Sequence, residues 1–111
     1  MSEKSFIFGA LINKKKIDMK NYRILTANDL RKHYFAIGKE AVTKLNLNKG
    51  ITLICQGIEY PERKIDKSKG YGHVYARKEF FENHHLNVGD CLDFQIDSLT
   101  NTITISVTYK K

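Results

Sequence analysis

Residues 35–57 laid over residues 74–96, an offset of 39, align without a gap and match at Lys39/Lys78, Glu40/Glu79, Leu47/Leu86, Asn48/Asn87, Gly50/Gly89, Leu53/Leu92 and Gln56/Gln95. Each copy reads as a short strand, a Lys-Glu step into a short helix (39–45 and 78–84), a Leu-Asn-x-Gly turn and a second strand. Ala41, Val42 and Leu45 in the first helix, and Phe80 and Phe81 in the second, supply apolar contacts, while Leu47 and Leu86 anchor the helix exits. Gly50 and Gly89 are expected to take the left-handed conformation that reverses the chain into the next strand. Two such units pair by a pseudo-two-fold rotation around one shared core, each helix capping one end of a small barrel, so that neither unit leaves a long sheet edge open.

The rest of the chain is strand-rich. Candidate strands are 5–12, 22–25, 34–37, 51–57, 59–65, 72–76, 91–97 and 102–109; the last alternates most cleanly, with Ile103, Ile105 and Val107 on one face and threonines and Ser106 on the other. Residues 98–101 make the tight turn of a hairpin between the final two strands. Thr26-Ala27-Asn28-Asp29 has the form of a capping box and marks a short helical turn. Alternation selects Ile24, Leu25, Phe35, Ile37, Leu47, Leu53, Cys55, Val74, Ala76, Phe81, Leu86, Leu92, Phe94, Ile103 and Ile105 as core. A chain of 111 residues with 41% hydrophobic residues fits a single domain with a single core. The division expected is an N-terminal strand and basic segment, 1–21, and a barrel core, 22–109.

The segments Leu25-Thr-Ala-Asn-Asp-Leu30, Phe35-Ala-Ile-Gly-Lys39, Gly72-His-Val-Tyr-Ala-Arg-Lys-Glu-Phe-Phe81, His85-Leu-Asn-Val-Gly-Asp90 and Leu92-Asp-Phe94 resemble the DNA-binding pseudobarrel superfamily. That superfamily includes plant transcription-factor DNA-binding domains and restriction-enzyme effector-recognition domains. The resemblance spans residues 22–107 and is most specific over 80–94; Gly38 stands where the family usually has a proline. Leu-x-x-Gly-Asp is also shared with swapped-hairpin units of the AbrB type, a weaker match. The resemblance implies a mostly β, single-domain, seven-stranded open pseudobarrel with two short helices. It also implies two arms that grip the major groove of duplex DNA. Carried onto this chain, the first arm is 26–34, with Asn28, Arg31, Lys32 and His33, and the second is 61–71, with Arg63, Lys64, Lys67, Ser68, Lys69 and Tyr71.

Charge agrees with that expectation independently. Nineteen Lys and Arg against twelve Asp and Glu give +7, and a basic protein with clustered cations suits a polyanion. Arg63, Lys64, Lys67 and Lys69 are suited to phosphates, while the planar forks of Asn28 and Arg31 suit base edges. Tyr60, Tyr71 and Tyr75 are candidates for stacking, and His73 flanks the second arm. Lys14, Lys15, Lys16, Lys110 and Lys111 read as solvated surface.

For catalysis the sequence offers little: it has no Gly-rich phosphate loop, no nucleophile elbow and no zinc-site spacing, and the carboxylate-x-Lys pattern of Glu62 and Lys64 lacks an upstream Asp partner. No catalytic residue, metal or cofactor is expected. Adjacent His84 and His85 point apart, and Cys55 and Cys91 read as small buried hydrophobes. The apolar run 6–12 is too short to span a bilayer and has its lysines behind rather than ahead of it, against the order of a signal peptide, so a cytoplasmic protein is expected. Two units in one chain make a monomer the expectation. The alternative function is a small basic interaction module or inhibitor, encoded by a mobile element, that binds an acidic protein partner.

Overall fold

The computed structural model describes residues 21–68 and 71–111; the expected strand and lysine triplet before residue 21, and Lys69, lie outside them. The described chain runs β1 (Tyr22–Ile24), α1 (Ala27–Lys32), β2 (Tyr34–Ile37), α2 (Lys39–Lys44), β3 (Ile51–Cys55), β4 (Ile58–Ser68), β5 (Tyr71–Tyr75), α3 (Lys78–Asn83), β6 (Cys91–Asp97) and β7 (Thr102–Thr108). The strands form one sheet in the order β1-β6-β7-β3-β4-β5-β2, antiparallel throughout except for the parallel pair β3 and β7. Its two edge strands, β1 and β2, approach each other, so the sheet curls almost closed. This is the mostly β, seven-stranded pseudobarrel that the sequence leads one to expect.

Three short helices accompany it rather than two. The third is α1, and its cause is the capping box: Thr26 Oγ1 accepts from the Asp29 backbone N–H at 3.2 Å while Asp29 Oδ2 accepts from the Thr26 N–H at 3.2 Å. That reciprocal pair satisfies two donors that a helix start leaves open, enough to organise a helix of six residues. Both aligned segments run strand, helix, strand, with α2 and α3 each six residues long and starting at Lys39 and Lys78.

The two turn glycines differ. Gly89 has φ +95 and takes the expected left-handed conformation, whereas Gly50 is not in that region. Gly50 instead provides space: a Cβ there would lie 2.8 Å from the Glu62 Cα, so only glycine lets this turn pass so close to β4.

Phe35 lies at the centre of the core, stacked on Phe94 with centroids 5.2 Å apart and tilted against Phe80 at 6.0 Å. Ile24 is a correction to the expected core. Successive strand residues face opposite sides, and with Leu25 turned inward Ile24 is 52% exposed. Leu47 packs on the core while remaining half-buried.

One irregularity decides the polarity of β4. The ladder between β3 and β4 pairs Leu53 with Tyr60 but Ile51 with Arg63, so β4 carries an extra residue, and Glu62 has the positive φ of 59° that accommodates it. The bulge shifts the alternation by one: Tyr60, Arg63 and Ile65 turn inward, while Lys64 and Asp66 turn outward.

Candidate nucleic-acid interface

The first expected arm is α1 and its exit. Arg23 on β1 grips the buried Asp29 carboxylate with two hydrogen bonds, at 2.9 Å to Oδ2 and 3.0 Å to Oδ1, which fixes the helix against the barrel. On its exposed side Asn28 donates through Nδ2 to the Tyr34 hydroxyl at 3.1 Å, and Arg31 donates to Asn28 Oδ1. The two planar groups therefore form one linked unit. Lys32 is exposed in the last turn of the helix, where a cation complements the helix dipole. His33 has a different role from the one expected of an arm residue: at φ 60° it ends α1 through its backbone N–H to the Asp29 carbonyl, and its half-buried ring sits edge-on to Phe81 at 6.0 Å.

In the second arm the structure corrects Arg63. Its side chain is 4% exposed and lies inside the barrel wall, donating to the Ala76 carbonyl at 3.1 Å, the Pro61 carbonyl at 2.8 Å and Glu79 Oε1 at 2.8 Å, with its guanidinium 5.4 Å from the Tyr60 ring centre. The bulge at Glu62 turns it inward, and its donors are committed to the fold. Lys64 and Lys67 are exposed along β4. Ser68 pairs with Tyr71 at the end of the β4–β5 ladder.

Between the two arms lies a group of rings that the sequence alone leaves scattered. Across β2, β5 and β4 the register sets Tyr34, Tyr75 and Lys64 in one outward row, and Ala36, His73 and Asp66 in the next. Tyr34 stacks on His73 with centroids 4.5 Å apart and a tilt of 18°. Tyr71 meets His73 edge-on at 5.2 Å, and Tyr75 meets Tyr34 edge-on at 5.7 Å. The Tyr75 hydroxyl donates to Asp66 Oδ2 at 3.5 Å; loss of solvation and the Asp66 carboxylate raise its phenol above the ordinary tyrosine value, keeping it a donor. The chain Arg31, Asn28, Tyr34, His73, Tyr71 thus links first arm to second. The sequence reading put Tyr34 at the end of the first arm and His73 beside the second, without joining them, although Tyr71, His73 and Tyr75 recur at every second position of one strand.

The opposite wall is different. The outward rows of β1, β6, β7 and β3 carry Tyr22, Asp93 and Ser106, then Gln95, Thr104 and Ile54, with no lysine or arginine among them. Both exposed strand lysines are therefore on β4: Lys64 shares the outward row of Tyr75 and Tyr34, and Lys67, paired with Gly72, lies on the other face of the strand.

His84, read from sequence as a helix-exit residue, is buried. Its Nε2 lies 2.8 Å from the Tyr60 hydroxyl and its Nδ1 2.7 Å from Gln56 Oε1, while its backbone carbonyl accepts from the Tyr109 hydroxyl at 2.7 Å. Burial, and then the neighbouring His85, lowers its pKa, favouring the neutral ring that these partners suit. Burial pushes the Cys55 thiol up to about 11. Among the described residues no three His, Cys, Asp or Glu side chains group to hold a metal ion, and no helix is long and apolar enough to cross a membrane.

No family model matches the sequence, and no curated protein matches it. Solved structures do. A chain of an Arabidopsis FUS3-DNA complex superposes with a TM-score of 0.58 at 13% identity, covering 81% of this chain and 96% of that one. A hypothetical Arabidopsis thaliana protein superposes with a TM-score of 0.57 at 12% identity, covering 78% of this chain and 86% of that one. With its strand order and helices already described, the chain shares the pseudobarrel fold of these two structures.

Proposed function

We propose that this chain is a non-catalytic nucleic-acid-binding module that grips duplex DNA between α1 and the β4–β5 hairpin, and that it does so as a monomer. The observation that carries the reading is the joining of the two arms on one wall: Arg31 and Asn28 connect through Tyr34 to β5, beside Lys64, while the outward rows of β1, β6, β7 and β3 hold no cation. The FUS3-DNA complex, whose chain shares this fold, supports it. Lys64 and Lys67 lie against phosphates, where charge matters and geometry is loose. Arg31, oriented by Asn28, meets base edges, where a planar fork makes paired hydrogen bonds that an ammonium cannot. Arg63 takes no part.

Two classes of variant separate these roles. Lys64→Ala with Lys67→Ala weakens binding to every duplex and lowers the slope of log K against log salt by about 0.9 for each phosphate that is no longer neutralised. Arg31→Ala costs about 1–3 kcal/mol on a selected preferred site and much less on random sequence. If the lysine variant binds duplex DNA unchanged at low salt but loses an acidic protein partner, the nucleic-acid reading fails and the chain is an interaction module.

A further inference from the structure

We infer that the ring ladder on β2 and β5 is a stacking platform for unpaired bases, so that the module also holds single-stranded nucleic acid; this rests on the nucleic-acid reading above. Three features of the wall lead there. First, the rings point away from the core, and Tyr71 and Tyr75 each remain 38% exposed, so packing of the barrel does not account for them. A duplex offers such rings little, because its grooves present base edges and the base faces are covered by their neighbours in the stack. An unpaired base offers a whole face, and any base will serve.

Second, the spacing fits. The exposed rings Tyr71 and Tyr75 stand four residues apart on β5, on either side of the His73 ring that Tyr34 covers, about 13 Å or roughly four times the 3.4 Å step of stacked bases, an interval for a strand whose bases are splayed apart. Third, charge surrounds the rings in the arrangement that a single strand requires. Lys64 pairs with Tyr75 on one side, and Arg31 reaches the other side through Asn28 and Tyr34. Asp66 sits opposite His73 in the middle, disfavouring a phosphate over the rings while leaving the cations at their margins free to take one. Backbone at the margins and bases over the centre is the outcome.

The test compares labelled oligothymidine of about 12 nucleotides with an abasic oligomer of equal length and charge, by fluorescence anisotropy at matched salt. The wild-type chain is expected to prefer oligothymidine. Tyr71→Ala with Tyr75→Ala should remove that preference, since one stacked base is worth about 5- to 150-fold, and should weaken binding of blunt duplex far less than binding of oligothymidine. Tyr71→Phe with Tyr75→Phe keeps the rings and should bind as wild type, which separates stacking from the loss of the Asp66 hydrogen bond. Equal binding of abasic and thymidine oligomers overturns the platform and leaves duplex binding standing. An alanine variant that loses duplex and single strand equally overturns it too, because the rings would then serve the duplex grip. Absence of duplex binding with the thymidine preference intact overturns the duplex reading alone.

Discussion

Replacing Arg63 by alanine separates a residue of the fold from a residue of the binding face. Arg63 is buried, and its guanidinium satisfies two backbone carbonyls, of Pro61 and Ala76, besides pairing with Glu79. A hydrogen bond from a charged donor contributes about 1.5–3 kcal/mol, and a buried carbonyl left without a donor costs about 1–3 kcal/mol. The Glu79 side chain is 59% exposed, so solvent screens the ion pair and that part contributes under about 1 kcal/mol. Arg63→Ala is therefore expected to lose about 3–5 kcal/mol of folding stability, whereas Glu79→Gln loses less than about 1. Urea denaturation followed by far-ultraviolet circular dichroism measures both. If Arg63→Ala loses less than about 1 kcal/mol, or costs no more than Glu79→Gln, the side chain is solvated and the bulge that turns it inward is absent.

Other consequences follow from the same packing. Neutral His84, with a pKa lowered from 6.5, contributes stability that is fully present above the unfolded value and is lost as pH falls from there through the lowered folded value; urea midpoints measured down this range should fall in the wild type and fall less in His84→Gln. Phe94→Ala empties a site stacked on Phe35 and should cost about 3–5 kcal/mol by equilibrium unfolding, while replacing the fully exposed Leu99 by serine should change stability by no more than about 0.5. Gly50→Ala forces a Cβ to within 2.8 Å of the Glu62 Cα and should lower the thermal midpoint, at a cost of about 1–3 kcal/mol.

What the sequence revealed and what it hid divide by the range of the interaction. The capping box at Thr26 and Asp29 is local and was legible; so was the alternation of β7, because periodicity survives in one dimension. The bulge at Glu62 was not, since a single positive φ at a non-glycine residue leaves no mark in composition, and without it the alternation puts Arg63 outside and Ile65 with it. Reading Gly50 as a left-handed turn failed for a related reason: what it avoids is the Glu62 backbone, which the chain reaches only after making a hairpin. The His84 surroundings draw on Gln56, Tyr60 and Tyr109, each more than twenty residues away in sequence, so nothing near His84 indicated an interior histidine. The same holds for the stack of Tyr34 on His73, which exists only because β2 pairs with β5.

The most direct test of the binding face is a titration of labelled protein with a short duplex, followed residue by residue through backbone amide chemical shifts. The account predicts that shifts cluster on Asn28, Arg31, Lys32, Lys64 and Lys67, and that Asp93, Gln95, Thr104 and Ser106 on the opposite wall stay unmoved. Shifts concentrated on that opposite wall, or no shifts at low salt, would contradict it.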